Sequence, residues 1–321
     1  MRKERMRKAW MIAALVALGA GALSLSAAAR DRYEEKFEKT EALARDGNVS
    51  LGNVSGSVAV KTWDKAEVRI EALKVSEASS EAKAKENCGL VTIEITREAG
   101  VLRIDTKYPK RKSFWGSDSI NVSVDYRLWV PSAASLEVKS VSGDVDLESL
   151  GGAVKAKVVS GSIDLRKAAS GAELTTVSGG LTLEDVTGNV YLKTVSGDIE
   201  AVRIKGSIEA GSVSGGIEMR DVSGAAGVSA KTVSGNVVFQ GALEDKGRYG
   251  LKSHSGDIGM FLPAAAKFSF DAETFSGVVD SDFKIEVSGK ISPREVHGTI
   301  NGGGAEVRLE TFSGSIDLKK S

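Results

Sequence analysis

Only one cysteine, Cys88, occurs in the chain, so no internal disulfide can hold the fold together. Prolines number four, and none lies between Pro131 and Pro263. A paired strand loses a ladder hydrogen bond at proline, so that long gap suits continuous sheet. Lys+Arg and Asp+Glu are 43 each, which cancels the net charge. The basic footprint of a nucleic-acid binder is therefore missing, and no nucleic-acid partner is expected. Two histidines, His254 and His297, lie far apart in sequence. Zinc spacings, phosphate loops, nucleophile elbows and the calcium-binding nonapeptide are absent. No metal site and no cofactor are expected.

What the chain has instead is repetition. Val-Ser-Gly recurs at a step of 18 residues, at Val141-Ser142-Gly143, Val159-Ser160-Gly161, Val177-Ser178-Gly179, Val195-Ser196-Gly197 and Val213-Ser214-Gly215. The step loosens to 20 and 21 at Val233-Ser234-Gly235, His254-Ser255-Gly256 and Phe275-Ser276-Gly277. A related Phe312-Ser313-Gly314 closes the series. A fixed period near 20 residues means one supersecondary unit copied and stacked.

Each unit alternates apolar and polar residues, the period of a strand buried on one face. In Asn189–Gly206, Val190, Leu192 and Thr194 share one face, and Tyr191, Lys193 and Val195 the other. After Gly197, Ile199 and Ala201 resume the buried parity. Glycine ends each half, as expected for a sharp bend. Gly143, Gly161, Gly179, Gly197, Gly215, Gly235, Gly256, Gly277 and Gly314 are the expected bend residues. The fold class expected is an all-β, single-chain β-solenoid with two short strands per coil of about 18 residues. An antiparallel meander would also bend often, but it needs no such signature.

Stacking such coils makes columns. Ser140, Val158, Thr176, Thr194, Ser212, Thr232, Ser253, Thr274 and Thr311 fall in one inward column beside the bend. A buried hydroxyl needs a partner, and the bend backbone or the next hydroxyl would serve. Val141, Val159, Val177, Val195 and Val213 form an adjacent column, whose exposure decides whether the molecule carries an apolar stripe.

The first residues read as a targeting segment. Arg2, Lys3, Arg5, Arg7 and Lys8 precede an apolar run over 9–25, and Ala27-x-Ala29 is the small-residue pattern of signal cleavage. Residues 1–29 are expected to be a signal peptide and the mature protein exported, to the periplasm or cell surface. If uncleaved, residues 9–25 would anchor it in a membrane. Residues 30–130 are expected to form an N-terminal β segment with a first repeat copy from Val49 to Val60, and 131–321 the regular body. Residues 31–44 leave three options: a short helix, a flexible lead-in, or a strand around Tyr33 and Phe37. Residues 75–88 read as loop or short helix, with Cys88 near a strand start. Lys319, Lys320 and Ser321 are expected to charge the open end of the stack.

Three elements carry a family resemblance. They are Gly56-Ser57-Val58-Ala59-Val60 through Trp63-Asp64 and Val68; Tyr126 to Pro131 leading into Ser142-Gly143-Asp144-Val145; and Gly298 to Gly304 with Leu309 to Leu318. Together the chain resembles the bacterial β-strand-repeat family of unknown function often labelled "putative adhesin". The resemblance implies an exported or envelope-tethered β-solenoid and brings no catalytic residues. Phe275 and Phe312 depart from it by replacing Val.

Candidate chemistry is sparse. Asp144, Asp198 and Asp257 follow Ser-Gly, where Asp forms turns. Asp146, Asp164, Glu200 and Glu218 share one outward parity and would make an acidic stripe. The one distinctive segment outside the repeats joins basic and aromatic residues: Lys107, Tyr108, Lys110, Arg111, Lys112, Phe114 and Trp115. Such a loop can hold anionic polymers, lipid head groups or sugars, or simply pack its aromatics on the first coil. The function expected is a non-catalytic binding or adhesin-like scaffold, with an envelope protein, glycan or surface polymer as partner. Two alternatives stand beside it. One is a carbohydrate-active enzyme with acids converging in a groove near residues 241–300. The other is a membrane-anchored envelope-stress accessory.

Overall fold

The computed structural model describes residues 30–109, 120–287 and 292–321. Within them, each alternating segment is a strand, and it pairs with its counterpart one repeat away rather than with its sequence neighbour. Ala172–Ser178 lies between Val154–Ser160 and Val190–Lys193, parallel to both, with Leu174 opposite Ala156 and Leu192. Beyond the bend, Leu181–Thr187 lies between Ile163–Ala168 and Ile199–Lys205, again parallel. The chain thus passes alternately through two sheets, of 13 and 14 strands, and one pass through both makes a coil. The sheet that contains Ala172–Ser178 is termed the front sheet, the other the back sheet. Inward parity supplies the core between them. Leu174, Leu183, Ile163, Leu165 and Leu192 are all essentially inaccessible to solvent. Each buried side chain of this size stabilises by about 1.5–3 kcal/mol relative to exposure.

The simple alternation breaks once in each of five successive coils, in the back sheet. Ser149, Lys167, Asp185, Arg203 and Asp221 have φ of 64°, 60°, 58°, 55° and 54°. They stand 18 residues apart and none is glycine. A left-handed residue there turns the strand, so that Leu147 and Leu150, or Ala201 and Ile204, face the core three positions apart. Each of these five coils therefore has a kink in addition to its glycine bends.

The N-terminal region builds one end of the stack. The first copy, Asn48–Ser55 and Val58–Trp63, pairs in parallel with Ser135–Ser142 and Val145–Leu150, so both sheets run on through it. The chain between makes an excursion. Glu67–Ala78 lies antiparallel to Val122–Pro131 and to Asp31–Ala42, the latter a 12-residue strand that resolves the reading of 31–44. Thr92–Glu98 and Val101–Lys107 extend the front sheet as a hairpin. Glu81–Leu90 is a helix capped by the Ser80 side chain. Cys88 lies inside that helix, buried, and not at a strand start; burial pushes its thiol up.

At the other end the order of coils departs from the order of sequence. Ala305–Ser313 pairs with Arg248–Ser255 on one side and Phe268–Ser276 on the other. Ile316–Lys320 is likewise flanked by Ile258–Leu262 and Val279–Ser281. The C-terminal coil is thus interior to the stack, which corrects the expectation that Lys319–Ser321 form its open edge. The outermost strands there are Val279–Ser281 in the back sheet and Glu286–Val287, with Glu295–Ile300, in the front sheet.

Candidate functional site at the bend corner

The Val-Ser-Gly corner is built by close approach of successive coils. Gly197 has φ 154°, and a Cβ on it would lie 2.0 Å from the carbonyl oxygen of Gly179 in the preceding coil. Neither that backbone conformation nor that space admits a side chain. Gly143, Gly161, Gly179, Gly215, Gly235, Gly256 and Gly314 share the positive φ; Gly277, on the outermost coil, does not.

The inward hydroxyl column fastens the same corner. Thr176 Oγ1 donates to Gly161 O at 2.9 Å, Thr194 to Gly179 O at 3.1 Å, and Thr232 to Gly215 O at 2.9 Å. Ser212, Ser253, Thr274 and Thr311 donate in the same way to a neighbouring bend glycine. On the outer side the turn aspartates accept from a backbone amide one coil on. Asp144 Oδ1 takes Ser162 N at 2.8 Å, Asp198 Oδ1 takes Gly216 N at 2.7 Å, and Asp257 Oδ1 takes Ser315 N at 2.8 Å. These carboxylates have structural work.

Between hydroxyl and serine, the valine of each bend points outward. Val54, Val141, Val159, Val177, Val195, Val213 and Val233 are each 40–50% exposed. Parallel register sets them one above another, and His254, Phe312 and Phe275 continue the line. There the rings stack: His254 on Phe312 at 5.0 Å between centroids, and Phe312 on Phe275 at 4.6 Å. Phe275, outermost, is 65% exposed. The result is an apolar stripe along the corner from the first copy to the last coil. Two residues before each valine, on the outer face of the front sheet, runs a row containing Lys139, Lys157, Lys193, Lys231 and Lys252. Lys139 pairs with Glu137 at 2.8 Å and Lys252 with Glu310 at 2.8 Å.

Other sequence candidates are arranged differently. Asp146 and Asp164 are register partners on the back sheet, as are Glu200 and Glu218, so the acidic stripe exists. It spreads along an outer face, and Arg220 bridges Glu200 and Glu218. Partial burial, then Asp164 and Asp144, push the Asp146 carboxyl up. A groove of about 1120 Å³ crosses the front sheet, lined by Asn48, Ser135, Lys155, Glu173, Asn189 and Tyr191 among others. It lies away from residues 241–300, where the enzyme alternative places its acids. Lys139 holds Glu137, and Lys155 holds Glu173, below the ordinary carboxylate range. His297 sits between Asp271 at 3.0 Å and Glu295 at 2.9 Å; hydrogen bonding to Glu295 raises its pKa.

Of the basic-aromatic loop, Lys110, Arg111, Lys112, Phe114 and Trp115 lie outside the described residues. Lys107 is exposed and paired with Asp105 at 3.1 Å. Tyr108 is anchored: its hydroxyl donates to Val122 O at 2.8 Å, and burial pushes the phenol up to about 12. Among the described residues no group of three or more His, Cys, Asp or Glu is placed to hold a metal ion. No helix among them is long and apolar enough to cross a membrane. Missing from the sequence reading were Val54 as the first member of the stripe and the groove on the front sheet. The triplet Val54-Ser55-Gly56, identical to Val141-Ser142-Gly143, is the sequence signal for Val54.

No curated protein matches the chain. Distant likenesses exist among solved structures. One is a "putative adhesin" from Bacteroides fragilis, 12% identical, covering 89% of this chain and 97% of that one, TM-score 0.44. Another is a "putative cell adhesion protein" from Clostridium sporogenes, 15% identical, 89% and 100% covered, TM-score 0.24. A third is a "putative lipid binding protein" from Parabacteroides distasonis, 11% identical, 88% and 97% covered, TM-score 0.31. The Toastrack DUF4097 family model matches residues 48–319, and the chain belongs to that family.

Proposed function

We propose that the protein is an exported, non-catalytic β-solenoid that works by binding an extended partner of the cell envelope along its bend corner. The observation that carries this reading is the exposed valine stripe with its aromatic end. A contiguous apolar strip rimmed by polar residues marks an interaction surface on a soluble body. The rim here is a lysine row on one side and the Ser-Gly-Asp turns on the other. Repetition makes the strip straight and regular, which suits a long partner rather than a compact ligand. The charged start and apolar run of residues 1–29 support export, and their small-residue ending supports cleavage after Ala29. The envelope partner is read as a protein, because branched apolar side chains match other apolar side chains better than they match sugar hydroxyls.

Protease added to intact cells, with lysed cells as control, separates surface from periplasm and weighs the mature chain. The binding claim is tested with Val159→Lys, Val177→Lys and Val195→Lys combined. These residues point outward and are 41–49% exposed, so the variant should keep its circular dichroism spectrum. It should lose retention on immobilised envelope fractions by at least tenfold. Unchanged retention would overturn the stripe as the contact surface.

A further inference from the structure

The interior position of the C-terminal coil has a second feature beside it. Glu310-Thr311-Phe312-Ser313-Gly314 in that coil repeats Glu273-Thr274-Phe275-Ser276-Gly277 in the outermost coil, residue for residue. The two make the same bonds one step apart. Thr311 Oγ1 donates to Gly256 O at 2.9 Å, and Thr274 Oγ1 donates to Gly314 O at 2.8 Å. Both stand in the same columns: Ser313 pairs with Ser255 and Ser276, and Ile316 with Ile258 and Val279. The slot that holds the C-terminal coil therefore has two walls in matching register.

The coil hangs on this slot by a short tether. Asn301-Gly302-Gly303-Gly304 joins it to Glu295–Ile300. Asn301, Gly302 and Gly303 have φ of 52°, 82° and 78°, and a Cβ on Gly302 would meet nothing. Glycines in succession rotate freely. If the coil leaves its slot, the walls are two parallel edges with unpaired backbone groups, which are sticky toward strands.

We infer that the C-terminal coil, 305–321, is an exchangeable strand pair through which two copies of this chain assemble, each filling the other's slot. Exchange of an identical element between protomers reproduces every native contact and needs new geometry only at the hinge. The inference stands apart from the binding stripe, since it concerns the edges of the sheets and not their corner. In the exchanged dimer Phe312 of one copy lies between His254 and Phe275 of the other, so the stripe stays continuous.

The test uses register partners across the slot wall. Lys252 lies opposite Glu310. A Lys252→Cys chain and a Glu310→Cys chain, both also carrying Cys88→Ser and one carrying a mass tag, are mixed at high concentration under mild denaturant, returned to buffer and oxidised. Exchange predicts a disulfide-linked heterodimer on a non-reducing gel, and a dimer mass for the native chain by light scattering. The double variant in one chain must oxidise internally, which shows that the pair can bond and that the variants fold. If the double variant closes but mixing yields monomers, or only same-chain homodimers, the coil does not exchange and the inference fails.

Discussion

The molecule turns at two kinds of corner, and they use left-handed backbone in opposite ways. At the Val-Ser-Gly corner the residue is glycine in every coil. At the back-sheet kink it is Ser149, Lys167, Asp185, Arg203 or Asp221. Both columns have positive φ, so positive φ alone does not explain the glycines. Two differences do. Among the bend glycines, Gly143 sits at 123° and Gly161, Gly179, Gly197 and Gly215 at 145–154°, a region essentially closed to side chains, whereas the kink residues sit at 54–64°, in the left-handed well that L-residues enter at modest cost. The bend glycines also face a carbonyl oxygen of the preceding coil at about 2 Å from where a Cβ would be. The kink side chains are exposed and reach along the stack, as Arg203 does to Asp185 at 2.7 Å. Recurrent glycine therefore reports contact between coils.

The strongest way to break this comparison is to put a methyl group at each corner. Gly197→Ala should destabilise by about 4 kcal/mol, at the upper end of single substitutions, because both φ and space forbid it. Chemical denaturation followed by circular dichroism would measure it. A loss under about 1 kcal/mol would mean that the coils separate easily and that the close approach does not govern the corner.

The hydroxyl column tests whether the bend corner is also fastened from inside. Thr176→Val removes the donor to Gly161 O and should cost about 1 kcal/mol. The chain supplies its own control, since Val158 occupies this column without a hydroxyl. Val158→Thr should regain up to about 1 kcal/mol by reaching Gly143 O, one coil back. Equal and opposite changes would show that the bond is made the same way in every coil; two losses would show that packing volume decides.

At the kink the sign should reverse. Lys167 has φ 60° and an exposed side chain. Glycine relieves left-handed strain of about 1–2 kcal/mol and adds unfolded-state freedom of about 0.5–1 kcal/mol. Lys167→Gly should therefore be neutral to stabilising, by no more than about 1 kcal/mol. A clear destabilisation would mean that the kink needs its side chain, and the contrast between the two corners would narrow.

The two corners were not equally legible in the sequence. The bend carries one residue type for one reason, so its period, its hydroxyl column and its outward valines could be read as columns before any coordinates. The kink shares a backbone state and no residue type, so identity hides it. Its trace is the apolar spacing of three in Leu165–Ala168, Leu183–Val186 and Met219–Val222, which breaks the period of two. The order of coils at the C-terminal end was not legible for a related reason. Columns state how deep a residue sits within a coil, and every coil has the same columns. Which coil lies on which is decided by pairing over long sequence separations, as when Ser55 meets Ser142. The contact site shows the same limit. That a valine column exists follows from the repeat, but its exposure depends on how far the bend protrudes.

The smallest effect lies between the corners, at Asp146. Asp144 serves the bend by capping Ser162 N, while Asp146 stands on the open sheet face one register step from Asp164. Partial burial and these two neighbours raise the Asp146 carboxyl above its ordinary 3.8. The folded state thus holds that proton more tightly than the unfolded chain does. Folded stability is fullest below the unfolded pKa and declines as pH rises through the raised folded one. Asp146→Asn removes the ionisation, so the variant should be more stable than the native chain at pH 7 and equal to it at pH 3. Solvent screens this face, which limits the gain to on the order of a few tenths of a kcal/mol. Asp144→Asn should behave otherwise, because an amide oxygen accepts from Ser162 N less strongly than a carboxylate, and stability should fall at neutral pH. Paired denaturation curves at the two pH values would separate an acid that fastens a bend from an acid that only crowds a stripe. If both variants shift in the same direction, the division of labour between corner and face is wrong.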